Sequence, residues 1–355
     1  MTGQTATTRT EIGDPVGHRV RLKTMETETI CGEDQSVLDA FLRANTWLPH
    51  GCSQGTCGSC KLKVIDGTVD HRASSEFILT APEREEGIAL ACQATPCADL
   101  LVEPLADIAD DGIVHHPLRD VLGTVSVLED IARETRRLVI DLDELMPFNA
   151  GQYVELLVPG TEIRRQYSMA NSPAETGAIE LHIRRTEAGA ATDGWIFAHM
   201  AVGDRVEIRG PYGTFGIGKP QEEAAILVAG GTGLAPMKSI VHAALAEDLV
   251  PELWLYHGGR TEQDLYDVEF FTDLDTRYEQ FHYRPVLSEQ NWDGANGMVT
   301  DAVLNDFDTL KGLSGYLCGP PAMVDAGRKV FKRRRMAPRL IHQEEFTDAS
   351  DVKVS

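Results

Sequence analysis

Long apolar runs are missing from this 355-residue chain. The longest, Ala224 to Gly230, falls far short of the ~20 residues that span a bilayer, so no membrane association is expected. The opening MTGQTATTRTEIGDP has no apolar core either. Residues 1–15 therefore read as a flexible polar tail and not a signal peptide, and the chain as cytoplasmic. Basic charge is scarce: 33 Lys and Arg stand against 55 Asp and Glu, a formal charge of −22. The acidic excess runs through the whole length, which argues against a nucleic-acid partner and for solubility. One cationic run, Lys332-Arg333-Arg334-Arg335, reads better as the last turn of a helix, where cations complement the negative end. Internal repeats and low-complexity tracts are absent too. Seven cysteines in an intracellular chain do not suggest a disulfide framework.

The composition is that of a soluble globular protein, 42% hydrophobic and 25% charged, with length for two or three domains. Three blocks separate by pattern. Residues 16–106 alternate short strand-like runs (His18–Met25, Lys61–Ile65, Leu100–Glu103) with one helix near Ser36–Asn45. There Ser36 suits an N-cap, and Val37, Ala40 and Phe41 recur at helical spacing. Residues 107–117, acidic and then ending in proline, read as a linker. Residues 118–219 hold β-rich runs at Val121–Leu128, Arg137–Leu142, Gln152–Val158, Ile179–Arg184 and Arg205–Arg209, separated by Gly/Pro turns. This predicts a small antiparallel barrel. Residues 220–355 alternate buried-strand runs (Ala225–Ala229, Leu253–His257, His282–Val286, Tyr316–Cys318) with helices, which predicts a parallel α/β sheet. The expected fold is thus multidomain, α+β followed by α/β.

Four cysteines carry the first chemical signal. Cys52, Cys57 and Cys60 stand in GCSQGTCGSC, and Cys92 follows in LACQ, a C-x4-C-x2-C…C pattern. That is the plant-type [2Fe–2S] spacing, in which one tightly wrapped loop supplies three of four thiolates. Gly51, Gly55 and Gly58 would allow unusual backbone angles and let amide N–H groups approach the sulfurs. The alternative is a zinc knuckle on the Cys57/Cys60 pair, but the second short pair that zinc sites usually have is missing. A Rieske centre lacks its two histidines. Cys31 and Cys97 have no cluster spacing and read as a core thiol and a bystander.

Arg165-Gln166-Tyr167-Ser168 follows a strand-like run and precedes the turn Asn171-Ser172-Pro173. By itself the tetrapeptide is compatible with a surface β-turn. Here, however, the chain resembles the ferredoxin–NADP reductase superfamily, whose flavin motif is R-x-Y-S. The resemblance implies FAD, with Arg165 on its pyrophosphate, Tyr167 along the isoalloxazine and Ser168 near N5. An arginine fork suits phosphate, and an aromatic ring offers a stacking face. His182–Trp195, HIRRTEAGAATDGW, reads as a strand, a Gly/Ala-rich loop and a helix start. Ile183, Arg184, Gly189, Ala191 and Thr192 are its expected flavin contacts, with N–H groups at the helix start binding the diphosphate.

Val228-Ala229-Gly230-Gly231-Thr232-Gly233-Leu234-Ala235-Pro236 runs a strand into a glycine turn. An amphipathic helix bearing Met237, Ile240, Val241, Ala244 and Leu245 should follow. The segment resembles the superfamily's G-G-T-G-x-x-P element, which holds the nicotinamide nucleotide's pyrophosphate. Cys318-Gly319-Pro320-Pro321 matches its C-G-P-P, whose cysteine contacts the nicotinamide. Glu344-Glu345-Phe346 is similar to the closing E-x-F. The resemblance covers residues 18–346 and implies a β-grasp ferredoxin domain, a six-stranded FAD-binding barrel and a Rossmann-like NAD-binding domain. It makes Ser168, Cys318 and Glu344 the catalytic candidates. NADP-specific members carry S-R where this chain has Ser288-Glu289, and a carboxylate there would repel a 2′-phosphate. Arg260 argues the other way. NADH is the expected donor.

NADH gives up two electrons together and an iron–sulfur cluster accepts one, so a flavin is needed between them. The domain order resembles reductase components of bacterial multicomponent oxygenases. LPHGCSQGTCGSCK, IRRQYSMAN and YLCGPPAMVDA look most like reductases of soluble di-iron monooxygenases acting on phenol, methane, propane or alkenes. The implied partner is then a di-iron hydroxylase. The reductase of a Rieske-type dioxygenase is the alternative in the same class. A sensory protein holding both groups without turnover is the alternative outside it.

Overall fold

The computed structural model of the chain describes residues 17–106 and 113–346, so the tail expected at 1–15 and residues 107–112 of the expected linker lie outside it. There are two compact units, and the first ends within the expected linker. The barrel and the nucleotide-binding sheet, expected as separate domains, pack into the second.

In the first unit, alternation along His18–Leu22 turns Val20 and Leu22 into the core. This strand sits between Thr27–Cys31, antiparallel to it, and Leu100–Pro104, parallel to it; Lys61–Asp66 and Ile88–Leu90 extend the sheet beyond Leu100–Pro104. The helix Val37–Arg43 buries Leu38, Phe41 and Leu42, and the Ser36 hydroxyl accepts from the Asp39 amide at 3.1 Å, the expected N-cap. A mixed sheet embracing one helix is the β-grasp arrangement. A second short helix, Ala81–Glu85, was not apparent in the sequence. A Thr80/Glu83 capping box starts it, and Lys61 binds Glu83 at 2.5 Å.

In the second unit, six antiparallel strands run in the order Arg164–Ser168, Tyr153–Leu157, Arg205–Tyr212, Arg119–Ala132, Thr135–Leu142, Ala178–Arg184. A Met169–Leu181 bridge joins first to last and closes the barrel. Val125, Ile140, Leu156, Leu181 and Ile208 fill it. The R-x-Y-S segment, expected after a strand, is itself a strand, because its backbone pairs residue for residue with Tyr153–Leu157.

The nucleotide-binding sheet is parallel throughout, in the order Ala295–Asn296, Phe281–Leu287, Leu253–Gly259, Ala225–Gly230, Ser314–Gly319, Ile341–Glu345. Helices Leu234–Ala246, Val268–Arg277, Val299–Asp306 and Pro321–Arg333 flank it. Lys332 and Arg333 lie in the last turn of their helix, as expected, while Arg334 donates to the Leu304 carbonyl at 2.7 Å. Two elements differ from expectation. The helix after the glycine turn is not amphipathic: even Lys238 and Ser239 are buried, because its far side faces the barrel. The C-terminal segment forms an edge strand that the sequence pattern did not reveal. No helix of the described residues is long and apolar enough to cross a membrane.

Candidate functional site

Cys52, Cys57 and Cys60 lie on the loop before Lys61–Asp66, and Cys92 follows Ile88–Leu90. The loop can wrap because Gly55 (φ +79°) and Gly58 (φ +73°) take left-handed backbone, which would strain a residue with a Cβ. Gly51 departs from expectation: a Cβ there would meet nothing closer than 3.4 Å. Amides do approach the sulfurs. Gln54 and Thr56 donate to Cys52 Sγ at 3.4 and 3.3 Å, and the Cys52 amide donates to Cys57 Sγ at 3.5 Å.

The four sulfurs fall into two close pairs. Cys60 and Cys92 are 3.3 Å apart, and a side-chain hydrogen bond links Cys52 with Cys57. That bond, together with Ser59 Oγ at 3.0 Å, holds the Cys57 thiol down to about 4, whereas the same bond and burial push Cys52 up. Cys92 likewise is raised and Cys60 lowered by their shared bond. Cysteines in two close pairs, with N–H donors aimed at Cys52 and Cys57, fit a two-iron cluster. Cys57 is exposed while Cys60 and Cys92 are buried, so one edge of the site faces solvent. Cys31 is a buried core thiol and Cys97 is exposed.

Arg165 and Tyr167 share one side of their strand. Neighbouring Arg164 pairs with Glu207, whereas Arg165 makes no ion pair among the described residues and is available for an anion. Burial raises the Tyr167 phenol, keeping it neutral. Ser168 is buried opposite Tyr153. In the loop from the next strand, the Thr192 hydroxyl accepts from the Thr186 amide and donates to its carbonyl, both at 3.1 Å. Gly189 is required there, since a Cβ would lie 2.5 Å from Thr192 Oγ1. The expected helix is one π-type turn, Thr192–Ile196, so Thr192 closes the loop more than it opens a helix. Ile183 and Ala191 are buried in the barrel core. Arg184 is exposed, and its Nη1 would lie 3.7 Å from a Cβ on Gly231, which joins the flavin strand to the nucleotide turn.

The strand Ala225–Gly230 leads into a single turn, Gly231–Gly233, and then the helix Leu234–Ala246. Thr232 is half-buried within that turn. Gly233 rests on the next strand so closely that a Cβ would meet the Cys318 carbonyl at 2.2 Å. Gly230 packs likewise against Met323 and Pro320, and Gly319 (φ +146°) against Gly230. Cys318 is fully buried and opposite Glu344 on the edge strand. Burial, with Glu344 beside it, holds the Cys318 thiol well above its ordinary value. Burial also raises Glu344, to about 8, and its Oε2 has no hydrogen-bond partner among the described residues. The Phe346 amide donates to the Gly319 carbonyl at 2.9 Å. Glu289, just beyond Phe281–Leu287, donates its amide to the Arg260 carbonyl at 2.9 Å. The two candidate specificity residues therefore adjoin at the carboxyl edge of the sheet, where nucleotides bind such folds.

A β-grasp unit with paired cysteines, a barrel bearing R-x-Y-S and a parallel sheet with a glycine turn define an iron–sulfur flavoprotein reductase. Three family matches agree: residues 20–97 with the 2Fe-2S iron-sulfur cluster binding domain, 123–217 with the oxidoreductase FAD-binding domain, and 227–329 with the oxidoreductase NAD-binding domain. The chain is 51% identical to the aromatic O-demethylase reductase subunit of Amycolatopsis sp. (strain ATCC 39116 / 75iv2), over 90% of this chain and 96% of that one. It is 41% identical to the phenol 2-monooxygenase reductase component of Pseudomonas sp. (strain CF600), over 91% and 93%. The crystal structure titled Amycolatopsis cytochrome P450 reductase GcoB superposes with a TM-score of 0.88 at 48% identity, over 93% of this chain and 99% of that one. The chain belongs to the family of NADH-dependent reductase components of oxygenase systems, with FAD and a [2Fe–2S] cluster as its cofactors.

Proposed function

We propose that this chain moves electrons from NADH through FAD and the cluster to a separate oxygenase, with the residue roles that follow. When bound, the flavin supplies the conversion of a two-electron donor into single electrons, and the cluster supplies their exit. Arg165 and Arg184 neutralise the dinucleotide phosphates, and Tyr167 gives the ring a neutral stacking face. The Gly230–Gly233 turn carries the nicotinamide nucleotide's pyrophosphate, and Ser168 and Cys318 line the reacting end. Cys318 stays a thiol and acts by shape, not as a nucleophile. Glu344 holds a proton at neutral pH behind it. The carrying observation is the seating of the Gly233 turn on Cys318, which leaves the nicotinamide element no freedom to sit elsewhere.

The oxygenase is proposed more finely in two ways. A di-iron hydroxylase is supported by the 41% identity to the phenol 2-monooxygenase component. A cytochrome P450 is supported by the 51% identical O-demethylase subunit and by the 48% identical structure titled a cytochrome P450 reductase, and these observations favour it. Unpaired thiols and dependence on NADH suit the cytoplasm. The test is reconstituted, NADH-driven turnover with a purified O-demethylating P450 and, separately, a phenol hydroxylase. Product from the P450 alone supports the favoured reading, and product from the hydroxylase alone overturns it. A protein that reduces cytochrome c but drives neither overturns both.

A further inference from the structure

A lysine stands where the buried helix Leu234–Ala246 should carry an apolar residue. Lys238 is 6% exposed, and its ammonium donates to Glu180 at 2.9 Å and to Asp267 at 2.8 Å. Glu180 belongs to the barrel strand Ala178–Arg184, whereas Asp267 begins the helix Val268–Arg277 beside the nucleotide-binding sheet. Arg137, on the barrel strand Thr135–Leu142, donates Nε to Glu180 at 3.2 Å and its other end to Asp267. His182 Nε2 adds a bond to Glu180 at 2.7 Å. Glu180, His182 and Asp267 offer ligand atoms within 4.8 Å of one another, as a metal site would. The ammonium of Lys238 already serves both carboxylates, Arg137 serves both as well and also holds the exposed Glu129 at 2.7 Å, and burial keeps His182 neutral. The cluster is an ion-pair network between barrel and sheet.

Two features connect it to the reacting elements. Asp267 takes a left-handed backbone (φ 54°) directly after Tyr266, whose hydroxyl donates to the Gly231 carbonyl at 3.2 Å. The strand bearing Glu180 ends at Arg184, which overlies Gly231. A second tie grips the same segment from its other end. The Arg133 amide, at the tip of the barrel hairpin, donates to the Gln263 carbonyl at 2.8 Å, and its guanidinium donates to Thr261 Oγ1 at 2.7 Å. Residues 261–267 are thus held to the barrel at both ends, while Tyr266 holds the glycine turn.

We propose that Lys238, Arg137, Glu180 and Asp267 form a positioning latch. Through Tyr266 it sets the Gly231 turn at a fixed place relative to the flavin strand, so that a bound nicotinamide arrives in register. These are positioning residues, since none is argued to touch the reacting atoms, and the inference rests on the flavin and nicotinamide roles proposed above. Removing one partner of a buried ion pair leaves a charge uncompensated, and a displacement near 1 Å at reacting groups costs on the order of 100-fold in rate.

The test is anaerobic rapid mixing of the full-length, FAD- and cluster-loaded protein with NADH, following flavin bleaching and the long-wavelength absorbance of a stacked nicotinamide–flavin pair. Lys238→Met, the charge-balanced pair Lys238→Met/Asp267→Asn, and Arg133→Ala are compared with wild type at equal FAD content. The expected result for the first two is a limiting bleaching rate at least tenfold lower. Half-saturation by NADH should change less than threefold, and the stacking absorbance should weaken. Arg133→Ala should lose a few-fold. Arg133 is partly exposed, so this variant remains informative if the buried ones fail to fold. A flavin-loaded Lys238→Met/Asp267→Asn or Arg133→Ala protein that bleaches within twofold of wild type overturns the latch. Wild-type protein that NADH does not bleach would overturn the proposed function instead.

Discussion

Cys318 and Glu344 sit opposite each other on adjacent parallel strands, and burial keeps both predominantly protonated at neutral pH. The pairing follows from the edge strand Ile341–Glu345, which the Phe346 amide anchors to the Gly319 carbonyl. A carboxylate whose enclosed oxygen finds no partner among the described residues would face a large desolvation penalty, so the neutral acid persists. This pair therefore adds no fixed negative charge at the end of the strand Ser314–Gly319.

Glu344 should leave a pH signature. Its folded-state value, about 8, lies above the ordinary 4.5, so the native protein retains a proton that the unfolded chain releases. Its contribution is most favourable below about pH 4.5 and declines as pH rises toward 8. Glu344→Gln keeps the neutral form at every pH. Between pH 5 and 8 its thermal midpoint should gain steadily on wild type, by on the order of 10 °C in all. Parallel midpoint curves across that range would refute the assignment.

Cys57→Ser should separate the two halves of electron flow. Cys57 is the exposed member of its pair. NADH should still bleach the flavin at near the wild-type rate, while cytochrome c reduction falls at least tenfold. Simultaneous loss of both would contradict flavin reduction preceding the cluster.

Gly233→Ala places a methyl where the Cys318 carbonyl already lies 2.2 Å away. Backbone cannot give way cheaply, so a cost of about 1–3 kcal/mol is expected. Thermal denaturation should show it, and NADH reduction of the flavin should weaken in the folded fraction. Unchanged values for both would mean that the turn does not seat on Cys318.

Glu289→Arg should widen nucleotide choice. Glu289 adjoins Arg260, and exchanging its charge would put two cations where a 2′-phosphate would lie. kcat/KM for NADPH should rise roughly tenfold or more, worth about 1.4 kcal/mol. An unaltered NADPH to NADH ratio would place the specificity residue elsewhere.

Motif chemistry was legible where its residues are neighbours in the chain. The C-x4-C-x2-C loop, the glycine turn after Val228-Ala229 and the C-G-P-P after a strand each act through local backbone geometry, which adjacent residues dictate. The strand runs named in the three blocks and the helix near Ser36–Asn45 were legible for the same reason. The R-x-Y-S segment misled because its strand character comes from pairing with Tyr153–Leu157. The short helix Ala81–Glu85 buries none of its residues, so no apolar period announced it.

By itself the sequence pointed to three family-type blocks, to the class of reaction, and to candidate cluster and nucleotide-binding segments. Only the tertiary structure decided that Glu344 faces Cys318, that Thr192 closes its own loop and that Lys238 is buried between two carboxylates. Those facts depend on which distant segments lie side by side and on how far water is excluded between them. Neither quantity is carried by the spacing of residues along the chain.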